Sequence, residues 1–131
     1  MSATLLPPVE CPASPAELAD ALREAHAHRA CVLPAGLRRR GGPGARPLRV
    51  DRVLSTQRIA GITAYEPGDQ TVTARAGTPI EELQAVLAGH DQHLPVSAGP
   101  GSLGGLLATA EDGPWDLLHG RLRERVLGLT V

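Results

Sequence analysis

The chain has 131 residues, enough for one domain with its own core, and 42% of them are hydrophobic, which excludes a chain disordered by composition. Its net charge is −1, so no overall field draws it to nucleic acid or to an anionic membrane surface. With no Phe, one Trp and one Tyr, packing falls to Leu, Val, Ile and Ala. Small interior side chains leave room for a flat cofactor or a partner surface to complete such a core.

Residues 1–13 are Pro-spaced and expected to be an extended N-terminal segment ahead of a domain over 14–131. The opening MSATLLPPVE lacks a basic stretch and a sustained apolar run, and no segment approaches a membrane span, so a soluble, cytoplasmic protein is expected. Cys11 and Cys31 show neither metal-ligand spacing nor a disulfide framework.

Ser14-Pro15-Ala16-Glu17 starts a helix: Ser as cap, Pro at the first helical position, Glu three residues after the cap. Leu18, Ala21, Leu22 and Ala25 follow at helical spacing and mark its buried stripe. Ala30 to Pro34 reads as a buried strand. A loop with three arginines comes next, Ala35-Gly36-Leu37-Arg38-Arg39-Arg40, bounded by glycines. Its residues alone leave two readings open, a cradle for phosphate or a solvated basic loop.

Leu48 to Leu54 alternates as a strand. Ile59–Tyr65 and Gln70–Ala76 form a hairpin around Glu66-Pro67-Gly68-Asp69, whose central Pro-Gly predicts a type II turn. Thr78-Pro79-Ile80-Glu81 repeats the first helix's opening with Thr78 as cap; Ile80, Leu83 and Leu87 form the stripe and Gly89 the stop. His90 and His93 follow that stop with no third ligand nearby, which disfavours a metal site.

The junction Gly99-Pro100-Gly101-Ser102-Leu103-Gly104-Gly105 is the most suggestive stretch. No bulky side chain keeps a ligand off its backbone, Ser102 can cap, and free N–H groups at a helix start would face an anion. A glycine-rich surface loop is the alternative on composition alone. Leu106, Leu107 and Ala108 continue a short helix that Glu111 to Pro114 ends. Trp115 to Arg125 mixes charge with Leu117, Leu118 and Leu122. Arg125 to Val131 reads as an apolar strand with an uncovered edge, so the fold is expected to be interrupted there.

Taken in order, these pieces resemble the FAD-linked oxidases, the family with a p-cresol methylhydroxylase (PCMH) or vanillyl-alcohol oxidase type FAD-binding domain, and within it the glycolate oxidase type of FAD-binding subunit. The resemblance rests on Pro34–Gly36, on Val50-Asp51 with a following isoleucine, and on Tyr65-Glu66-Pro67 through Val72-Thr73 to Ala76-Gly77-Thr78. It continues in Leu94-Pro95, in Ser102-Leu103-Gly104-Gly105 with Ala108, and in the run from Gly120 to Gly128, which matches G-x-x-R-(D/E)-x-V-L-G. It spans Ser14 to Val131 and covers only the N-terminal part of the family's domain.

The resemblance implies an α+β fold of two small α/β subdomains, here truncated on the C-terminal side, with FAD between them. It implies that Ala35 to Arg40 and Gly101 to Gly105 wrap the pyrophosphate, with Ala108, Thr109 and Gly113 close to the cofactor. The family's first loop, R-G-G-G-(T/S), is here Ala35-Gly36-Leu37-Arg38-Arg39, and the asparagine often found after the paired glycines is Ala110. The histidine used for covalent flavin attachment is missing, so noncovalent FAD is expected. The implied function is the FAD-binding part of an oxidoreductase acting on a 2-hydroxy acid, with flavoprotein or iron–sulfur subunits as partners; the groups for catalysis would lie elsewhere. The rival readings are a non-catalytic module docking to an oxidoreductase subunit and a degraded or frameshifted gene product with no settled function.

Overall fold

A computed structural model describes residues 7–37, 49–96, 99–110 and 113–131. A three-stranded parallel sheet is built from β1 (Val9–Glu10), β2 (Val32–Ala35) and β3 (Arg52–Ser55), in the order β1-β3-β2. The central strand registers Val53 against both Val9 and Leu33, and Ala35 lies opposite Ser55. Val53, Leu54 and Ser55 are buried, as a middle strand requires. β2 is an edge strand and only partly buried, contrary to the sequence expectation. Pro34 explains the placement: lacking an N–H, it fits an edge and not the middle of a sheet.

α1 (Pro15–Ala27) opens as expected, with Ser14 Oγ accepting the Glu17 N–H at 3.1 Å. The Glu17 carboxylate accepts from the Ala13 N–H at 2.8 Å, one residue before the cap itself. The buried stripe is shallower than its spacing implies. Ala25 is buried, whereas Leu22 is 46% exposed. Arg52 of β3 donates to the Ala21 carbonyl and to Glu24, and its other face grips Glu10 of β1 through Nε at 2.8 Å and Nη2 at 2.5 Å.

β4 (Ile62–Glu66) and β5 (Thr71–Ala74) form the antiparallel hairpin, with a bulge between Ile62 and Ala64. Its turn is not type II, since Gly68 does not take a positive φ. Two successive turn bonds, Asp69 N to Glu66 O and Gln70 N to Pro67 O, lead instead to left-handed Gln70 at φ 56°. A four-residue loop of this kind carries its left-handed residue after the turn, where the sequence offered no glycine to signal it.

α2 (Ile80–Ala88), α3 (Leu103–Thr109), α4 (Pro114–His119) and a 3-10 turn at Leu122–Arg125 complete the described elements. Pro79, not Thr78, is the cap residue of α2, and no side chain caps that helix. Thr78 is fully buried and its hydroxyl is engaged with Gly61, accepting from its N–H at 2.9 Å and donating to its carbonyl at 3.2 Å. Gly89 closes α2 at φ −62°, and Asp91 at φ 55° supplies the left-handed turn. Ile80, Leu106 and Leu122 form a buried cluster against which Leu94, Val96, Leu103 and Leu107 pack. The run after Arg125 pairs with no described strand. Leu127 and Leu129 on it are 84% and 72% exposed, so the expected terminal strand is an unpaired apolar segment. Among the described residues no helix is long and apolar enough to cross a membrane.

Candidate functional site

The end of β2 and the start of α3 meet. A Cβ placed on Gly36 would run into the Ser102 hydroxyl, so the two glycine-bearing loops lie in direct contact there. Beneath them, fully buried Ser55 donates from its hydroxyl to the Gly36 carbonyl at 3.1 Å and accepts the Gln57 N–H at 3.2 Å. Ser55 was not singled out from the sequence. The available signal was a hydroxyl closing an otherwise apolar strand, Val53-Leu54-Ser55.

Ser102 is 2% exposed and its Oγ caps α3 by accepting the Gly105 N–H at 3.2 Å. The segment before the helix crosses Pro79 in a short antiparallel bridge, with Ile80 N donating to Gly101 O at 2.9 Å and Leu103 N to Thr78 O at 2.8 Å. In such a narrow pair the N–H of Ser102 turns away from Pro79. Among the described residues, the N–H groups of Gly36, Leu37, Gly101 and Ser102 meet no acceptor. Gly101 and Ser102 are both buried, and a buried unpaired N–H costs about 1–3 kcal/mol unless a ligand or water takes it.

The N–H groups expected to be free at the helix start are engaged within the protein. Leu103, Gly104 and Gly105 all have their N–H groups engaged, by Thr78 O, Ala76 O at 2.8 Å and Ser102 Oγ. Gly104 is there for close packing: a Cβ would approach the Ala76 Cβ to 2.9 Å and its carbonyl oxygen to 3.0 Å. The Leu103 side chain packs against the core cluster.

Ala35, Gly36, Leu37, Gly101 and Ser102 are therefore brought together, with Gly105 linked through the cap. Ala108 and Thr109 lie on the exposed part of α3, and the Thr109 hydroxyl donates back to the Gly105 carbonyl at 3.0 Å. Gly113 precedes α4, its N–H held by Asp116 Oδ2 at 2.9 Å. Arg38, Arg39 and Arg40 lie outside the described residues.

Two charge pairs gather at the start of the central strand β3, Arg52 with Glu10 and Arg49 with Asp51. Arg52 holds the Glu10 carboxyl below the usual carboxylate range, mainly by hydrogen bonding. Arg49, and after it the Cys31 N–H at 2.7 Å, do the same to Asp51. Both pairs fix strand ends.

A small parallel sheet and an antiparallel hairpin thus frame the contact between Gly36 and Ser102. The chain belongs to the FAD binding domain family, whose pattern it matches over residues 7–131. It is 31% identical over 126 residues to the D-2-hydroxyglutarate dehydrogenase of Xanthomonas citri pv. viticola, covering 94% of this chain and 27% of that protein. It is 33% identical over 75 residues to the glycolate oxidase subunit GlcE of Escherichia coli K12, covering 54% of this chain and 21% of that protein. The chain thus spans about a quarter of the length of these relatives. Two crystal structures of alkyldihydroxyacetonephosphate synthase share its fold, with TM-scores of 0.71 and 0.73 at 20% identity. They match 88% and 91% of this chain, which covers 23% and 25% of theirs. The mixed helix and strand fold expected from the PCMH-type resemblance is the fold observed.

Proposed function

We propose that this chain holds FAD noncovalently, with the diphosphate seated where Gly36 meets Ser102, as the cofactor-binding part of an oxidoreductase acting on a 2-hydroxy acid. The observation that carries the reading is the close contact of Gly36 with Ser102, beside which the N–H groups of Gly36, Leu37, Gly101 and Ser102 meet no acceptor among the described residues. Bound there, the flavin would accept a hydride from the substrate carbon. This chain's residues bind and orient; none of the described side chains is assigned the substrate's proton. The hydroxy-acid substrate is drawn from the two relatives, one a D-2-hydroxyglutarate dehydrogenase and the other a glycolate oxidase subunit. Acid precipitation of the purified protein tests the reading. Free flavin released at one equivalent per chain is expected, whereas colourless protein that takes up no added FAD would end it.

A second reading, a module that docks to an oxidoreductase subunit, is favoured by one feature. Leu117 and Leu118 on α4 are 95% and 74% exposed, close in sequence to the bare Leu127 and Leu129. Colourless protein that gains thermal stability with a flavoprotein or iron–sulfur subunit would support this reading over the first.

A further inference from the structure

Leu94 and Pro95 lead into the glycine-rich junction, yet belong to no strand. The backbone of Leu94 is held by a side chain, its carbonyl shared with the Val96 N–H at 2.9 Å. Gln84 Nε2 donates to the Leu94 carbonyl at 2.8 Å, and Gln84 Oε1 accepts the Leu94 N–H at 3.0 Å. The primary amide thereby imitates the two-bond pairing of a neighbouring strand, a task that needs a donor and an acceptor on one planar group. One turn earlier on α2, the Ile80 N–H holds the Gly101 carbonyl at 2.9 Å. Four residues of helix rise about 6 Å. Within that short span α2 therefore fixes both Leu94 and Gly101. Ile80, Gln84, Gly99 and Pro100 line one cavity of about 550 Å³ between the helix and the junction. From the other side, Arg125 Nη1 donates to the Pro95 carbonyl at 2.6 Å.

We propose that Gln84 is a positioning residue for the diphosphate cleft: its amide fixes Leu94 on α2 and so sets where the Gly101–Ser102 backbone lies against Gly36. The proposal rests on the FAD reading given above. It assigns Gln84 no contact with the cofactor. Glu at this position would still accept from the Leu94 N–H but could not donate to the carbonyl, and Met would do neither at similar size.

The test uses the full chain with Gln84→Met and Gln84→Glu, comparing FAD dissociation constants, thermal midpoints and amide hydrogen exchange without ligand. Gln84→Met is expected to weaken FAD about tenfold with a midpoint within a few degrees of the parent. Exchange should accelerate at Leu94 and also at Ile80 and Leu103, whose bonds hold the junction. Gln84→Glu should retain partial protection at Leu94 and fall between the two in affinity. FAD affinity within twofold of the parent in both variants would overturn the proposal, as would faster exchange confined to Leu94. If the parent chain takes up no FAD, the FAD reading falls with that result, and exchange at Ile80 and Leu103 alone decides whether Gln84 fixes the junction.

Discussion

Gly36→Ala isolates the contact on which the site is built. The new Cβ would collide with Ser102 Oγ but would lie an ordinary 3.4 Å from Ser102 Cβ, so the clash is with the hydroxyl alone. Ser102 is nearly fully buried, which leaves the hydroxyl little room to swing away without abandoning the Gly105 N–H. Losing that cap costs about 1 kcal/mol. Forcing an extra methyl into the packed contact adds about another 1 kcal/mol, giving about 2 kcal/mol for Gly36→Ala. Ser102→Ala alone removes only the cap, about 1 kcal/mol. In the double variant two methyl groups meet at a tolerated distance, so its cost should stay near about 1 kcal/mol, well under the sum of about 3 kcal/mol. Urea unfolding of the four proteins closes the cycle, with a coupling of about −2 kcal/mol expected. Additivity within about 0.5 kcal/mol would refute the contact.

Three further outcomes follow from other parts of the structure. Gly104→Ala presses a methyl onto Ala76 and should cost about 1–3 kcal/mol in unfolding experiments, while any folded fraction binds FAD with little change in affinity. Thr78→Val keeps the shape of a fully buried side chain but strands the Gly61 N–H, and should lower stability by about 1–3 kcal/mol with faster exchange at Gly61. Glu10→Gln should lower the melting temperature near neutral pH. Because Arg52 holds the Glu10 carboxyl below its ordinary value of 4.5, the stability it contributes is full above that value and is lost as pH falls through the lower folded value. The gap between wild type and Glu10→Gln should therefore close in acid, and a gap independent of pH would contradict the ion pair.

Local signals in the sequence were readable where the partner lay within a few residues. Ser14 and Ser102 cap the helices they precede because each hydroxyl reaches an N–H three residues on. Thr78 carries the same local pattern, yet its hydroxyl is drawn to Gly61, seventeen residues back in sequence, and α2 begins without a side-chain cap. The paired glycines suggested exposed donors at a helix start. Only the fold shows that Ala76 packs against Gly104 and that its carbonyl takes the N–H. Gly36 and Ser102 touch across two loops far apart in sequence, and periodicity carries no information about which loops touch. Pro34 did mark an edge strand in retrospect, since a residue without an N–H cannot serve the middle of a sheet.

In the proposed site Gly36, Leu37, Gly101 and Ser102 present their N–H groups to the diphosphate of FAD. Titrating ¹⁵N-labelled protein with FAD, and separately with ADP, reads those donors individually. Large amide shifts are expected at these four residues with both ligands, and small ones at Gly104 and Gly105, whose N–H groups are already held. Shifts centred on Gly104 and Gly105, or none at Gly36 and Ser102, would contradict the proposed site.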